Sequence, residues 1–270
     1  MTYFGFLLRF LVIPIVILGV LTYRDLRRGR ALPGELRLFS PWLVIAILTG
    51  VAVVYTTPWD NYLVATGVWW YDPALVTGIT LGWVPLEEYT FFVLQPVMTG
   101  LWLLFLARRI PVRTRTSAPP NIRLVSAAGV GLLWLGALIV LLSGWQPGTY
   151  LALELVWALP PILLQLALGA NLLWRHWRLV GVALLTSTLY LSAMDLLAIH
   201  SGTWTINPGL SLGLRLGGIL PVEEAVFFLL TNTLLVFGMV LALANASRYR
   251  LPRHLKEYFP LPAVTRSLRG

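Results

Sequence analysis

Apolar residues in this chain fall in long, nearly unbroken runs, without the period of two or of 3.6 that marks a half-buried strand or a surface helix. Seven runs, at 3–23, 38–57, 83–107, 124–142, 150–174, 179–199 and 216–244, approach the ~20 residues with which a helix crosses a hydrocarbon core about 30 Å thick. The polar segments between them differ in kind. Those after the first, third, fifth and seventh runs are rich in arginine, whereas 57–82 and 201–215 are rich in Trp, Gly and Pro, and 143–149 is short and uncharged. The pattern predicts an all-α fold, a polytopic membrane bundle of seven transmembrane helices. The first run carries Arg9 and is followed by Arg24, Arg27, Arg28 and Arg30 instead of a small-residue cleavage site, which predicts a retained helix and not a signal peptide.

Composition agrees. Hydrophobic residues make up 58%, charged residues 11%, and mean hydropathy is +0.79, against about 25% charge in soluble domains. The net charge of +9 does not point to nucleic acid, because it is spread over short loops. Arg24, Arg27, Arg28, Arg30 and Arg37; Arg108, Arg109, Arg113, Arg115 and Arg123; Arg175 and Arg178; and Arg248, Arg250, Arg253, Lys256, Arg266 and Arg269 all fall on one side, leaving Arg9 and Arg215 on the other. The positive-inside rule makes that side cytoplasmic in a multi-pass protein of the cell membrane, with the N-terminus outside, the C-terminus inside and membrane lipid as partner. Cysteine is absent, which excludes disulfides and thiolate metal sites, and His176, His200 and His254 are scattered, so no metal is expected.

The chain repeats itself. Pro85-Leu86-Glu87-Glu88-Tyr89-Thr90-Phe91-Phe92 returns as Pro221-Val222-Glu223-Glu224-Ala225-Val226-Phe227-Phe228, an offset of 136. Upstream, Asp60, Gly67, Trp69 and Asp72-Pro73 match Asp195, Gly202, Trp204 and Asn207-Pro208 at 135, while Tyr3 and Pro14 match Tyr150 and Pro161 more weakly at 147. These matches predict a 3+1+3 parallel repeat: a first repeat over 1–107, a basic linker and connecting span over 108–149, a second repeat over 150–247, and a cytoplasmic tail over 248–270. The spacings Gly78/Gly82 and Gly209/Gly213/Gly217 are read as small-residue ladders for close helix approach.

Acidic residues in hydrocarbon-length runs are costly and mark function. Six are embedded, namely Glu87, Glu88, Glu154, Asp195, Glu223 and Glu224, whereas Asp60 is read as part of the outer connection. Each embedded acid lies within roughly 10 Å of the outer boundary at ~1.5 Å rise per residue. With Arg9 and Arg215 the only arginines there, crowding and desolvation favour neutral carboxylic acids able to give a proton. Phe91, Phe92, Phe227 and Phe228 sit one turn deeper, and Pro85 and Pro221 suit a helix's first turn.

The duplicated Pro-x-Glu-Glu-x-x-Phe-Phe motif on apolar helices resembles the integral-membrane lycopene cyclases, in the fused form of the two-subunit carotenoid cyclases. The resemblance spans both halves and implies a membrane lycopene β-cyclase that closes the linear ends of lycopene to β rings by way of γ-carotene, without redox chemistry or a cofactor. It carries over the motif residues Pro85, Glu87, Glu88, Pro221, Glu223 and Glu224; beside it, one member of an acidic pair is read as the acid, Glu87 and Glu223 foremost, with Glu88, Glu224 or Asp195 accepting the departing proton or tuning the acid. Phe91, Phe92, Phe227 and Phe228, with Pro85 and Pro221, would line the substrate, and association with other carotenoid-pathway enzymes is implied as well. No Gly-x-Gly-x-x-Gly follows a predicted strand, unlike in the flavin-containing soluble cyclases. The alternative is a small-solute transporter built from parallel three-helix repeats. A retinal receptor is disfavoured because the sole lysine, Lys256, lies beyond the last run.

Overall fold

The computed structural model describes residues 1–111 and 117–250, and only the backbone at Arg250. Arg113, Arg115, Arg253, His254, Lys256, Arg266, Arg269 and most of the expected tail lie outside the described residues. Seven helices long and apolar enough to cross a membrane make the bundle: α1 (Tyr3–Arg27), α2 (Pro41–Ala65), α3 (Leu86–Ala107), α4 (Ile122–Leu142), α5 (Thr149–Arg175), α6 (Trp177–His200) and α7 (Val222–Leu243). This is a multi-pass membrane protein. Helices α3 and α7 form the centre, with 67% and 50% of their apolar windows buried, whereas α4 is 6% buried and lies against α5 at the periphery.

At Pro14, Pro160 and Pro161 other side chains take over the carbonyls that the prolines orphan. Proline has no N–H for the carbonyl four residues back, and an unpaired carbonyl in hydrocarbon costs several kcal/mol. The Tyr190 hydroxyl donates to Phe10 O, four residues before Pro14, at 2.9 Å; a π-helical turn over Leu8–Val12 adjoins it. The Tyr55 hydroxyl donates to Trp157 O, four before Pro161, at 2.8 Å, and Trp134 Nε1 donates to Val156 O, four before Pro160, at 3.1 Å. The central helices are also bonded to one another. Gln95 Nε2 and Thr99 Oγ1 of α3 donate to Asn232 Oδ1 of α7, at 3.1 and 3.0 Å.

The long connections at one end are shaped as short strands. Strands β1 (Trp69–Tyr71) and β4 (Trp204–Ile206) pair antiparallel with Trp70 opposite Thr205. Strands β2 (Thr80–Leu81) and β3 (Val84–Pro85) form a hairpin, as do β5 (Arg215–Leu216) and β6 (Leu220–Pro221). Each hairpin runs straight into a central helix. The basic loops gather at the opposite end, where Arg109 clasps Asp25 through bonds of 2.7 and 2.9 Å and so ties α1 to the end of α3.

Several expectations change here. Helices α3 and α7 begin at Leu86 and Val222, not at 83 and 216, because Pro85 and Pro221 close the hairpins and stand at the N-caps, one position before the first turn. The glycines expected to form ladders lie in these connections instead. Gly78, Gly82, Gly213 and Gly217 have φ of 77°, 71°, 74° and 59°, a left-handed backbone that turns demand and a side chain resists. Helix α2 continues through Pro58 to Ala65, which brings Asp60 into the bundle, where it is 1% exposed.

Candidate active site

Behind each N-cap proline the acidic pair occupies the second and third helical positions. Successive helical residues point about 100° apart, and the members of each pair separate accordingly. Glu87 Oε1 accepts a hydrogen bond from Thr77 N at 2.6 Å, and Glu223 Oε1 accepts one from Leu212 N at 2.7 Å. These two carboxyls anchor the incoming connections over the helix starts. Glu88 and Glu224 turn inward. Glu88 Oε2 accepts from the Tyr3 hydroxyl at 2.5 Å and the Tyr71 hydroxyl at 3.0 Å, and Glu224 Oε1 accepts from the Tyr150 hydroxyl at 2.7 Å.

Together with Asp60 and Asp195, they line one chamber. Asp195 Oδ1 accepts from Trp204 Nε1 at 2.9 Å, while Oδ2 of Asp195 and Oδ2 of Asp60 are buried without a hydrogen-bond partner. Asp60 has Glu88 as its carboxyl neighbour, and Asp195 has Glu224. Among the described residues no cation compensates them: Arg9 and Arg215 are exposed, and the Asp25 ion pairs belong to the other end. Burial, with Asp60 and Glu88 beside it, pushes the Tyr71 phenol up, so it remains a donor.

Phe91, Phe92, Phe227 and Phe228 all line the chamber. Phe91 and Phe228 meet edge to face with centroids 6.4 Å apart, and Trp59 stacks on Phe227 at 5.9 Å with an interplanar angle of 5°. The surface is therefore acids and phenols on one side and aromatic faces on the other. Among the described residues, no three His, Asp or Glu side chains are arranged to hold a metal ion.

Of the residues singled out from sequence, Glu88, Glu224, Asp195 and the four phenylalanines meet in this chamber, whereas Glu87, Glu223, Pro85 and Pro221 do not line it. Glu154 is 0% exposed and lies beside Glu224 outside the chamber wall, with both oxygens lacking a hydrogen-bond partner. The sequence reading overlooked Tyr3, Tyr71, Tyr150, Trp204 and the inward position of Asp60. The match of Tyr3 with Tyr150 was the signal available for the phenols, since each bonds the inner glutamate of one motif.

A family model described as lycopene cyclase matches residues 1–106 and 147–243, leaving out the peripheral α4. The lycopene beta-cyclase of Halobacterium salinarum is 38% identical over 209 residues, which is 76% of this chain and 84% of that protein. Bifunctional lycopene cyclase/phytoene synthases are also similar. That of Podospora anserina is 36% identical over 235 residues and that of Leptosphaeria maculans 39% over 234, covering 83% and 82% of this chain but 40% and 39% of theirs. No solved structure matches. The likeness covers both acidic motifs, both hairpins and all six helices that enclose or border the chamber, so the chain belongs to the lycopene cyclase family.

Proposed function

We propose that this protein is a lycopene β-cyclase in which the chamber of Glu88, Glu224, Asp60 and Asp195 performs acid-catalysed ring closure. The observation that carries the reading is the convergence of these unpaired carboxyls and four phenylalanines on one cavity. A carboxylic acid adds its proton to C2 of the terminal C1=C2 bond, leaving a cation at C1. The C5=C6 π electrons then form the C1–C6 bond, the cation moves to C5, and loss of the C6 proton to a carboxylate restores C5=C6 within a β ring. Atoms and electrons balance without an oxidant. Positioned proton transfer contributes typically about 10²–10⁴-fold, and each aromatic face over a cation roughly 0.5–2 kcal/mol. A dry chamber also keeps water from trapping the cation.

The two inner glutamates differ in surroundings, which supports separate roles. Glu88 accepts two phenolic hydrogen bonds and has Asp60 beside it. Glu224 accepts one and stands with Asp195 and Glu154. We assign Glu224, the less encumbered of the two, as the donor and Glu88 as the acceptor, in place of Glu87 and Glu223, whose backbone bonds suit an anchoring role.

The 3+1+3 parallel repeat and its boundaries at 107, 149 and 247 are part of the same proposal. Equivalent bonds support it: Tyr3 to Glu88 with Tyr150 to Glu224, Thr77 to Glu87 with Leu212 to Glu223, and Tyr190 to Phe10 with Tyr55 to Trp157. In the β1–β4 ladder Trp70 faces Thr205, its own match at 135, as an approximate two-fold axis requires. Lipid is the surrounding partner, in a cell membrane with the chamber toward the exterior and the basic loops and C-terminus in the cytoplasm. The fusion to phytoene synthase in fungal relatives supports association with other enzymes of carotenoid synthesis. Expression in cells that accumulate lycopene, followed by pigment chromatography, tests the activity: β-carotene is expected, and unchanged lycopene would refute it.

A further inference from the structure

A second cavity lies directly behind the acid chamber and shares Phe91, Phe92 and Phe227 with it. It is walled by α2, α3, α5 and α7 and is mostly apolar. Tyr55, Trp157, Trp59 and Phe227 form a run of stacked rings from this cleft into the chamber, with successive centroids 5.6, 4.4 and 5.9 Å apart. At its outer lip, Val51 is 55% and Tyr55 40% exposed, where a membrane helix faces lipid. Along α7, Leu235 at the cleft's far end stands about 16 Å from Glu224, at ~1.5 Å per residue.

A third cavity occupies the corresponding place on the other side, between α1, α3 and α6. Its Pro14 and Tyr190 match Pro161 and Tyr55 of the first cleft. No residue lines both this cavity and the chamber. Two related clefts therefore exist, and one shares an aromatic wall with the acid chamber.

Resting on the cyclase reading above, we propose that the α2–α3–α5–α7 cleft is the seat of the conjugated polyene shaft and its way from lipid to the chamber, with Phe91, Phe92 and Phe227 parting to admit the end group. A flat, stiff, apolar chain fits a flat-walled apolar cleft, with its face against Trp157 and Phe227 and its terminal alkene among the carboxyls. The cleft is shorter than a linear carotene, so the remainder lies in lipid. One chamber behind one cleft means that the two ends react in successive visits, the half-cyclised product withdrawing between them.

The test compares the full chain in lycopene-loaded vesicles with Ala52→Phe, which fills the cleft, and with Ile17→Phe, at an exposed position of the opposite cavity. Binding is read as the visible circular dichroism that an achiral polyene acquires in a chiral site, and catalysis as the initial rate against lycopene content. Gel filtration and far-ultraviolet dichroism check folding. Ala52→Phe is expected to abolish the induced signal and raise half-saturating lycopene about ten- to a hundredfold, while Ile17→Phe changes neither. Ala52→Phe behaving as the parent, Ile17→Phe carrying the loss, or a parent without an induced signal would overturn the proposal. A parent that shows the signal, loses it on Ala52→Phe and makes no ring would leave the cleft standing and refute the cyclase reading instead.

Discussion

Replacing Glu224 by glutamine removes a titratable proton while keeping shape and the bond from Tyr150, which at 2.7 Å needs only an acceptor oxygen. If Glu224 gives the proton to C2, the loss is the full contribution of a positioned acid, about 10²–10⁴-fold in rate, or about 2.7–5.4 kcal/mol of barrier at 1.36 kcal/mol per decade. Glu223→Gln is the matched comparison. It weakens the bond accepted from Leu212 N at 2.7 Å, for about 1 kcal/mol of stability. It leaves the chamber untouched. Initial rates of lycopene consumption in vesicles, normalised to folded protein, separate the two. A Glu224→Gln enzyme within a few-fold of the parent, or a Glu223→Gln enzyme slowed a hundredfold while still folded, would refute the division of roles within each pair.

Tyr55→Phe should leave Trp157 O without its donor and cost about 1–3 kcal/mol, visible as a lower unfolding midpoint in detergent. A midpoint equal to the parent's would mean that the proline-orphaned carbonyl is satisfied otherwise. Glu88→Gln should lower turnover while preserving the induced dichroism of bound lycopene, and loss of that signal would point to a binding role instead. His176, between α5 and α6, is held below the ordinary imidazole range by burial, against Glu35, which pulls the other way. Its folded-state value is depressed, so the unfolded chain binds more protons. Stability is therefore present above the unfolded imidazole's range and falls with acidification through the folded value. His176→Phe should flatten that part of the pH–stability curve, and an unchanged curve would contradict the assignment.

The sequence reading reached the seven spans because hydrocarbon imposes length and apolarity on every helix, and it reached Glu88, Glu224 and Asp195 because embedded acids stand out against such runs. Its errors have local causes. Pro58 beside Thr56 and Thr57 looks like a helix end, yet the helix continues through it to Ala65. Asp60 was therefore misplaced. The glycines of 78–82 and 213–217 have the spacing of a helix interface, and only backbone angles reveal turns. Within each acidic pair, sequence gives a 100° separation but no reference direction. The Thr77 and Leu212 amides that hold Glu87 and Glu223 come from loops whose path has no periodic signal. Tyr3 and Tyr150 look like ordinary interface tyrosines until the helices place them against Glu88 and Glu224.

The central claim is that a carboxyl proton of this chain becomes a hydrogen at C2 of the new ring. Purified protein equilibrated in deuterium oxide and supplied with lycopene should yield β-carotene carrying one deuterium at C2 of each ring, read by mass spectrometry and nuclear magnetic resonance. Ring-closed product without deuterium at C2 would contradict it.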